Sequence, residues 1–74
     1  MNIKEEVSKV LAKRVDVSSL KEDDNLSALG LDSLDLVEVM LEIEYALHIE
    51  FTSEEITNLT TIQSVIDLIN AKLA

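Results

Sequence analysis

Apolar and polar residues follow each other along the chain mostly with the three- and four-residue spacing of helix faces. Near the N-terminus, Ile3, Val7 and Val10 recur at this spacing with charged residues between them, which predicts a helix over about residues 2–14. A second, strongly periodic stretch predicts a helix over residues 33–47. The chain contains no proline that would interrupt either segment.

Two further helices are predicted in the C-terminal third of the chain. Ser53, followed by two glutamates, is expected to cap a short third helix that ends near Asn58. Thr61 is expected to cap a last helix. The apolar stripe of that helix consists of Ile62, Val65, Ile66, Ile69 and Leu73.

The segment between the first two helices, residues 15–32, carries Asp, Ser, Asn and Gly and predicts a long loop. Its expected anchors on the core are Val17, Leu20, Leu26 and Leu29. Loops of this length are usually functional, and this one delivers the chain to Ser33. The fold class is therefore all-α: a small antiparallel four-helix bundle of three main helices and a short third helix, with a long loop between helices one and two.

Length and composition limit how such a bundle is stabilised. The 74 residues suit one domain, residues 1–74, and the absence of cysteine means that helix packing must provide the stability. One Tyr, one Phe and no Trp leave the core to aliphatic side chains. No apolar run reaches the roughly 18 residues that span a bilayer, and the start of the chain lacks the pattern of a signal peptide. We therefore expect a cytoplasmic protein without membrane insertion; the alternatives are a protein of an organelle matrix or a piece of a larger protein.

The charge of the chain is distributed unevenly. Net charge is −9, and every Lys and Arg lies in residues 4–21 or at Lys72, whereas residues 22–71 hold twelve of the fifteen carboxylates. This distribution argues strongly against nucleic acid or an anionic membrane as a partner and favours basic protein surfaces. The alternative is an acidic surface kept only for solubility, which an even distribution of charge would have favoured.

The second helix combines an acidic stripe with a wide apolar arc. At about 100° per residue, Asp35, Glu38 and Glu42 fall on one narrow stripe. The apolar arc covers about 220°, more than the roughly 100° that a surface helix needs for its own core. We therefore expect Leu34, Val37 and Leu41, the apolar residues nearest the acids, to be exposed for docking. The alternative is a bundle that buries this helix on nearly all sides.

Residues 30–35 place one serine between two aspartates where the loop becomes a helix. Asp32 is a good N-cap, so Ser33 is expected at the positive end of the helix, where an anionic group such as a phosphate ester is favoured. A catalytic role for Ser33 lacks a base, since the only histidine, His48, lies about 20 Å away along the same helix. The sequence also lacks a metal-ligand pattern. We expect a substrate of enzymes, not an enzyme, and no metal site.

The motif Asp32-Ser33-Leu34, the acidic helix after it, the Glu54-Glu55 pair and the order of the helices resemble acyl carrier proteins over essentially the whole chain. The resemblance implies that a transferase attaches 4′-phosphopantetheine from coenzyme A to Ser33, with Asp32 and Leu34 as its flanking site residues. The thiol of this arm would hold acyl chains as thioesters during fatty-acid, polyketide or specialised lipid synthesis. Peptidyl carriers are less similar.

The resemblance also implies partners. Basic surfaces of the phosphopantetheinyl transferase and of acyl-chain synthases, reductases and acyltransferases would meet the acids of the second and third helices. The expected docking residues are Asp35, Val37, Glu38, Leu41, Glu42, Glu44, Glu54 and Glu55. The chain is expected to be a monomer. The remaining alternative is an unmodified acidic helical adaptor, which would tolerate alanine at Ser33.

The resemblance further implies a bundle interior that shelters part of the acyl chain. The side chains expected to line it are Val7, Leu26, Leu29, Val39, Ile43, Leu47, Phe51, Ile56, Leu59 and Val65. Three positions depart from the family pattern: Asp16 replaces a common glycine, Thr52 a common proline and Tyr45 a common acid.

Overall fold

The computed structural model describes residues 2–18 and 20–74, and over these residues the chain is all-α. Four helices follow in order: α1 (Ile3–Leu11), α2 (Ser33–Leu47), α3 (Ser53–Thr57) and α4 (Ile62–Leu73). A short 3-10 helix, Ser27–Leu29, lies within the loop between α1 and α2. The predicted four-helix fold is confirmed. None of the helices in the described ranges is long and apolar enough to cross a membrane.

Helix α1 is shorter than the predicted range 2–14. Asn2 is its N-cap and accepts a hydrogen bond from the Glu5 backbone N–H at 3.2 Å. The helix ends at Leu11, because the backbone then tightens: the Arg14 N–H donates to the Leu11 carbonyl at 2.9 Å, a three-residue bond. The predicted end was therefore wrong by three residues, and Lys13 and Arg14 leave the helix in a turn.

Helix α2 has the predicted bounds. Asp32 accepts from the Asp35 N–H at 2.8 Å, and the Asp35 side chain accepts from the Asp32 N–H at 3.3 Å, which forms a capping box. At the other end His48 adopts a left-handed conformation with φ 58°. The Ile49 N–H then donates to the Glu44 carbonyl at 3.2 Å, the bond typical of a Schellman ending.

Helices α3 and α4 each begin with a capping box. The N-cap of α3 is Thr52 and not the predicted Ser53: the Thr52 hydroxyl accepts from the Glu55 N–H at 3.1 Å, and Glu55 accepts from the Thr52 N–H at 2.8 Å. Both groups that Thr52 uses in this capping box, its hydroxyl and its backbone N–H, are absent from the proline that is common at this position in the resembling family. Thr61 is the N-cap of α4, as predicted, and accepts from the Ser64 N–H at 3.1 Å.

The long loop is fixed to the start of α4 by backbone hydrogen bonds. The Leu26 N–H donates to the Thr60 carbonyl at 3.0 Å, and the Ile62 N–H donates to the Asp24 carbonyl at 3.1 Å. A third bond joins the Gln63 N–H to the Glu22 carbonyl at 2.7 Å. These bonds pair the loop with the α3–α4 connection and so determine where the loop delivers the chain to α2.

The core lies between the helices, with α1 packed against α2 and α4, and α2 against α3. Five of the ten predicted interior side chains are buried, namely Val7, Leu26, Val39, Ile43 and Val65. The other five, Leu29, Leu47, Phe51, Ile56 and Leu59, are half-buried and pack against that core, as do the loop anchors Val17 and Leu20. The list of expected interior side chains did not include the buried Leu11, Leu31 and Met40. It also left out Ile62, Ile66 and Ile69, which are buried and lie on the predicted apolar stripe of the last helix.

Candidate functional site

Ser33 is the first residue of α2 and is exposed. The chain reaches it through Gly30, with φ 85°, and through Leu31, whose side chain is buried in the core. The capping box of Asp32 then fixes the first turn of α2. Together these features hold the Ser33 hydroxyl at the protein surface, at the positive end of a fifteen-residue helix.

The only histidine of the chain does not lie near Ser33. His48 caps the opposite end of α2, about 22 Å along the helix axis from Ser33. In the part of the chain that the structure describes, no three His, Cys, Asp or Glu side chains are grouped as metal ligands.

A groove of about 250 Å³ opens beside Ser33. Its lining residues come from the loop, the start of α2 and the α3–α4 connection: Asn25, Leu26, Ser27, Leu31, Asp32, Ser33, Leu36, Leu59 and Thr60. Leucine side chains give it an apolar character, and Asn25, Ser27 and Thr60 add hydrogen-bonding groups. A flexible arm that carries amide groups and an apolar end fits a groove of this kind.

The exposed face of α2 carries the predicted apolar residues. Leu34, Val37 and Leu41 are 67%, 38% and 53% exposed, so the bundle does not bury this helix on all sides. Tyr45, one turn beyond Leu41, is 88% exposed and extends the apolar face. The sequence analysis did not assign Tyr45 to this face, although its four-residue spacing from Leu41 was the available signal.

Two acids of α2, Glu38 and Glu42, form ion pairs with basic side chains from the turn after α1. Lys13 Nζ lies 3.2 Å from Glu42 Oε2, and Arg14 Nη1 lies 3.6 Å from Glu42 Oε1. Arg14 Nη2 lies 3.8 Å from Glu38 Oε1. The distribution of charge along the sequence did not show these pairs, which form because the turn after α1 brings two cations beside α2. Asp35 belongs to the capping box beside Ser33.

The other three predicted docking acids differ in what they contact. The Glu44 carboxylate accepts a hydrogen bond from the Phe51 N–H at 2.6 Å, and so fixes the connection after α2. The hydrogen bond from the Thr52 N–H, together with Lys72 Nζ at 2.9 Å, holds the pKa of Glu55 below its usual value. Glu54 is exposed.

Comparison with known proteins agrees with this site. A family model described as a phosphopantetheine attachment site matches residues 2–69. An acyl carrier protein of Buchnera aphidicola subsp. Baizongia pistaciae is 37% identical over 71 residues, which cover 92% of this chain and 91% of that protein. A chloroplastic acyl carrier protein of Brassica napus is 39% identical over 72 residues, which cover 89% of this chain. The chain spans 52% of the length of that relative.

A solved structure shows the same fold. The crystal structure of an acyl carrier protein from Thermotoga maritima superposes with a TM-score of 0.84 at 25% sequence identity, and the match covers 96% of this chain and 85% of that one. Because the family model covers residues 2–69 and the Buchnera relative matches over nine-tenths of its length, the chain belongs to the acyl carrier protein family, whose prosthetic group is phosphopantetheine.

Proposed function

We propose that Ser33 carries 4′-phosphopantetheine transferred from coenzyme A. In this proposal the chain holds acyl groups as thioesters on the arm and moves them between enzymes of fatty-acid or a related lipid or polyketide synthesis. The chain is then a substrate of those enzymes and catalyses no step itself. The observation that carries the proposal is the exposed Ser33 hydroxyl, held between Asp32 and Leu34 at the start of α2 and beside an open groove.

The site supplies binding rather than catalysis. The transferase must provide the base that removes the Ser33 proton, because His48 lies at the far end of α2. In the product, the phosphodiester sits at the positive end of the α2 dipole, which stabilises its negative charge. That stabilisation offsets the repulsion from Asp32 and Asp35, whose carboxylates accept backbone hydrogen bonds within the capping box.

The groove beside Ser33 supports the proposed arm and acyl chain. Asn25, Ser27 and Thr60 present groups that can bond the amides of a pantetheine arm. Leu26 and Leu59, two of the side chains expected to shelter an acyl chain, form part of the lining. We infer that an acyl chain on the arm enters the bundle from this groove.

Docking of partner enzymes follows from the charges and apolar residues that remain exposed. Leu34 and Val37 follow Ser33 in α2 and are exposed. Asp35 in α2 and Glu54 in α3 add negative charge. Basic surfaces on the transferase and on acyl-chain synthases, reductases and acyltransferases suit this arrangement. The cytoplasmic location, the monomeric state and the single domain stay predictions.

Mass spectrometry tests the attachment site. Incubation with coenzyme A and a phosphopantetheinyl transferase is expected to add one prosthetic group to the chain and none to Ser33→Ala. Ser27→Ala is the matched control, because Ser27 is also exposed, begins a short helix and lines the same groove. Labelling of Ser33→Ala, or loss of labelling in Ser27→Ala, would contradict the assignment. An unmodified adaptor would show no mass change in any variant.

A further inference from the structure

One residue of α2, Glu44, holds the connection between α2 and α3. Its backbone carbonyl accepts hydrogen bonds from the His48 N–H and, at 3.2 Å, from the Ile49 N–H. Its side-chain Oε2 accepts from the Phe51 N–H at 2.6 Å, across seven positions of sequence. Three backbone N–H groups of the connection therefore donate to the same residue, which ties residues 48–51 to the last turn of α2.

The bond between Glu44 and Phe51 differs in kind from the ion pairs of α2. Glu38 and Glu42 face the ends of flexible basic side chains at 3.2 to 3.8 Å, and both carboxylates are partly exposed. Glu44 instead accepts from the backbone N–H of the half-buried Phe51. Hydrogen bonds from N–H groups to ionised carboxylates are shorter and stronger than those between neutral groups. The Glu44 carboxylate is therefore occupied within the fold, although the resemblance implied a docking role for it.

The connection that Glu44 holds leads directly into α3. Phe51, whose side chain packs half-buried against the core, precedes Thr52, the N-cap of α3. Helix α3 has five residues, too few to be stable alone, so contacts at its ends position it. At its other end the Leu59 N–H donates to the Ile56 carbonyl at 3.2 Å, and Leu59 lines the groove at the start of α2. A displacement of α3 would therefore move one wall of that groove.

We propose that Glu44 is a positioning residue: its carboxylate fixes the start of α3 and thereby the width of the groove beside Ser33. This rests on the proposed function, in which the phosphopantetheine arm and the start of an acyl chain lie in that groove. A docking role for Glu44 depends on its negative charge, which a basic partner would meet. A positioning role depends on the length of the side chain and on an oxygen that accepts from the Phe51 N–H.

Two variants of Glu44 separate charge from reach. Glu44→Asp keeps the charge but shortens the side chain, whereas Glu44→Gln keeps the length and an acceptor oxygen but loses the charge. In the chain without the arm, hydrogen exchange at the Phe51 amide should be about tenfold faster in Glu44→Asp than in the unaltered chain, and much less affected in Glu44→Gln. The internal control is the Leu36 amide, which donates to the Asp32 carbonyl at 3.0 Å. Equal Phe51 exchange in Glu44→Asp and the unaltered chain overturns the proposal.

The effect on the groove is tested with the arm in place. A transferase loads each variant from octanoyl-coenzyme A, and the rate at which hydroxylamine cleaves the thioester reports how well the fold shelters it. Glu44→Asp should be cleaved several-fold faster than the unaltered chain, whereas Glu44→Gln should be cleaved at close to the unaltered rate. An acetyl thioester, too short to enter the bundle, should be cleaved at one rate in all variants.

Glu50→Asp is the matched control for the cleavage experiment, because Glu50 is an exposed acid of the same connection. It undergoes the same chemical change as Glu44→Asp without loss of the bond to the Phe51 N–H. Equal octanoyl cleavage of Glu44→Asp and Glu50→Asp overturns the proposal. Acetyl cleavage that rises in Glu44→Asp as much as octanoyl cleavage does would also overturn it, because the effect would then not concern the groove.

The rate of Ser33 loading separates positioning from docking. Glu44 also lines an open depression with Tyr45 and Glu50, so a partner can reach its charge. Slower loading of Glu44→Gln at low salt, with unchanged Phe51 exchange in Glu44→Asp, would assign Glu44 to docking and overturn the proposal. Failure of the transferase to load the unaltered chain contradicts the proposed function, whereas Phe51 exchange in the chain without the arm still tests the positioning of α3.

A comparison within the unaltered chain replaces the variants if Glu44→Asp unfolds, as judged by circular dichroism. The Phe51 amide is then compared with the amide of Glu50, whose N–H has no acceptor among residues 2–18 and 20–74. The Phe51 amide should exchange about tenfold more slowly than the Glu50 amide after correction for local sequence. Equal protection of the two amides overturns the proposal.

Discussion

Gly30 and His48 are the two described residues with a left-handed backbone, at φ 85° and φ 58°. Gly30 ends the 3-10 helix before Ser33, and His48 ends α2. A Cβ added at Gly30 would meet no heavy atom within 4 Å, so alanine there has space but an unfavourable backbone conformation. The effect of alanine at Gly30 therefore reports on the backbone conformation.

Gly30→Ala is expected to lower the free energy of unfolding by about 1–2 kcal/mol, the cost of a left-handed conformation for a residue with a Cβ. His48→Gly removes the same kind of strain but gains freedom in the unfolded chain, so a stabilisation below about 1 kcal/mol is expected. Urea unfolding with an unchanged slope is the measurement. Gly30→Asn should lose less than Gly30→Ala, and equal losses would show that the left-handed turn is absent in solution.

At the scale of elements, α3 depends on contacts outside its own five residues, because so short a helix is not stable alone. The Thr52–Glu55 capping box fixes its start, and Lys72 of α4 lies 2.9 Å from the Glu55 carboxylate. The hydrogen bond from Thr52, followed by Lys72, lowers the pKa of Glu55 below its ordinary value of 4.5. Glu55 is therefore a link between the two helices that depends on pH.

The direction of this pH dependence follows from the lowered pKa of Glu55. A carboxyl whose pKa is lower in the folded than in the unfolded state stabilises the fold above the unfolded value, and the stabilisation is lost as pH falls through the folded pKa. Glu55→Gln keeps an acceptor for the Thr52 N–H but removes the charge facing Lys72. The variant should melt at a lower temperature at about pH 6 and lose less stability than the unaltered chain between about pH 4.5 and pH 3.

Glu54→Gln is the control for this prediction, since Glu54 occupies the same turn but is exposed. Its melting temperature should follow the pH dependence of the unaltered chain below about pH 4.5. If the melting temperature of Glu55→Gln depends on pH as that of the unaltered chain does, the contact between Glu55 and Lys72 does not contribute to stability. A hydrogen bond from Lys4 lowers the pKa of Glu22, and one from the Ser18 N–H lowers the pKa of Asp16. Both groups therefore also make the fold less stable as pH falls, as Glu55 does.

For the whole molecule, the balance of charge matters more than any single ion pair. Five of the six basic side chains already pair with carboxylates in the fold, yet fifteen carboxylates face only these six cations. Salt weakens both the attraction within the ion pairs and the repulsion among the carboxylates. The loss of repulsion is the larger effect on stability, because the acids are in excess. The melting temperature should therefore rise between low salt and about 0.5 M salt.

A variant with fewer acids tests the cause of that rise. Glu50→Gln combined with Glu54→Gln removes two exposed carboxylates for which the described residues provide no ion pair. It should melt higher at low salt and gain less from added salt than the unaltered chain. A melting temperature that stays flat or falls with salt would mean that the ion pairs of the five basic side chains already balance the repulsion.

The sequence by itself determined the features that depend on residues three or four positions apart. The bounds of α2, the caps Asp32 and Thr61, the exposed apolar residues Leu34 and Leu41, and the position of Ser33 all follow from such local patterns. The predicted N-cap of α3, Ser53, was wrong by one residue. The neighbouring Thr52 has the same type of side-chain hydroxyl and is equally able to cap a helix.

Only the tertiary structure decided which distant residues meet. The early end of α1 and the ion pairs of Lys13 and Arg14 with α2 depend on how two helices pack, across about 30 positions of sequence. The hydrogen bonds that fix the long loop to the start of α4 join residues even further apart. Helical periodicity contains no information on these pairings, because it specifies which face of a helix is apolar and not which element covers that face. The ion pairs that compensate Glu38 and Glu42 on the exposed side of α2 were for this reason evident only from the folded chain.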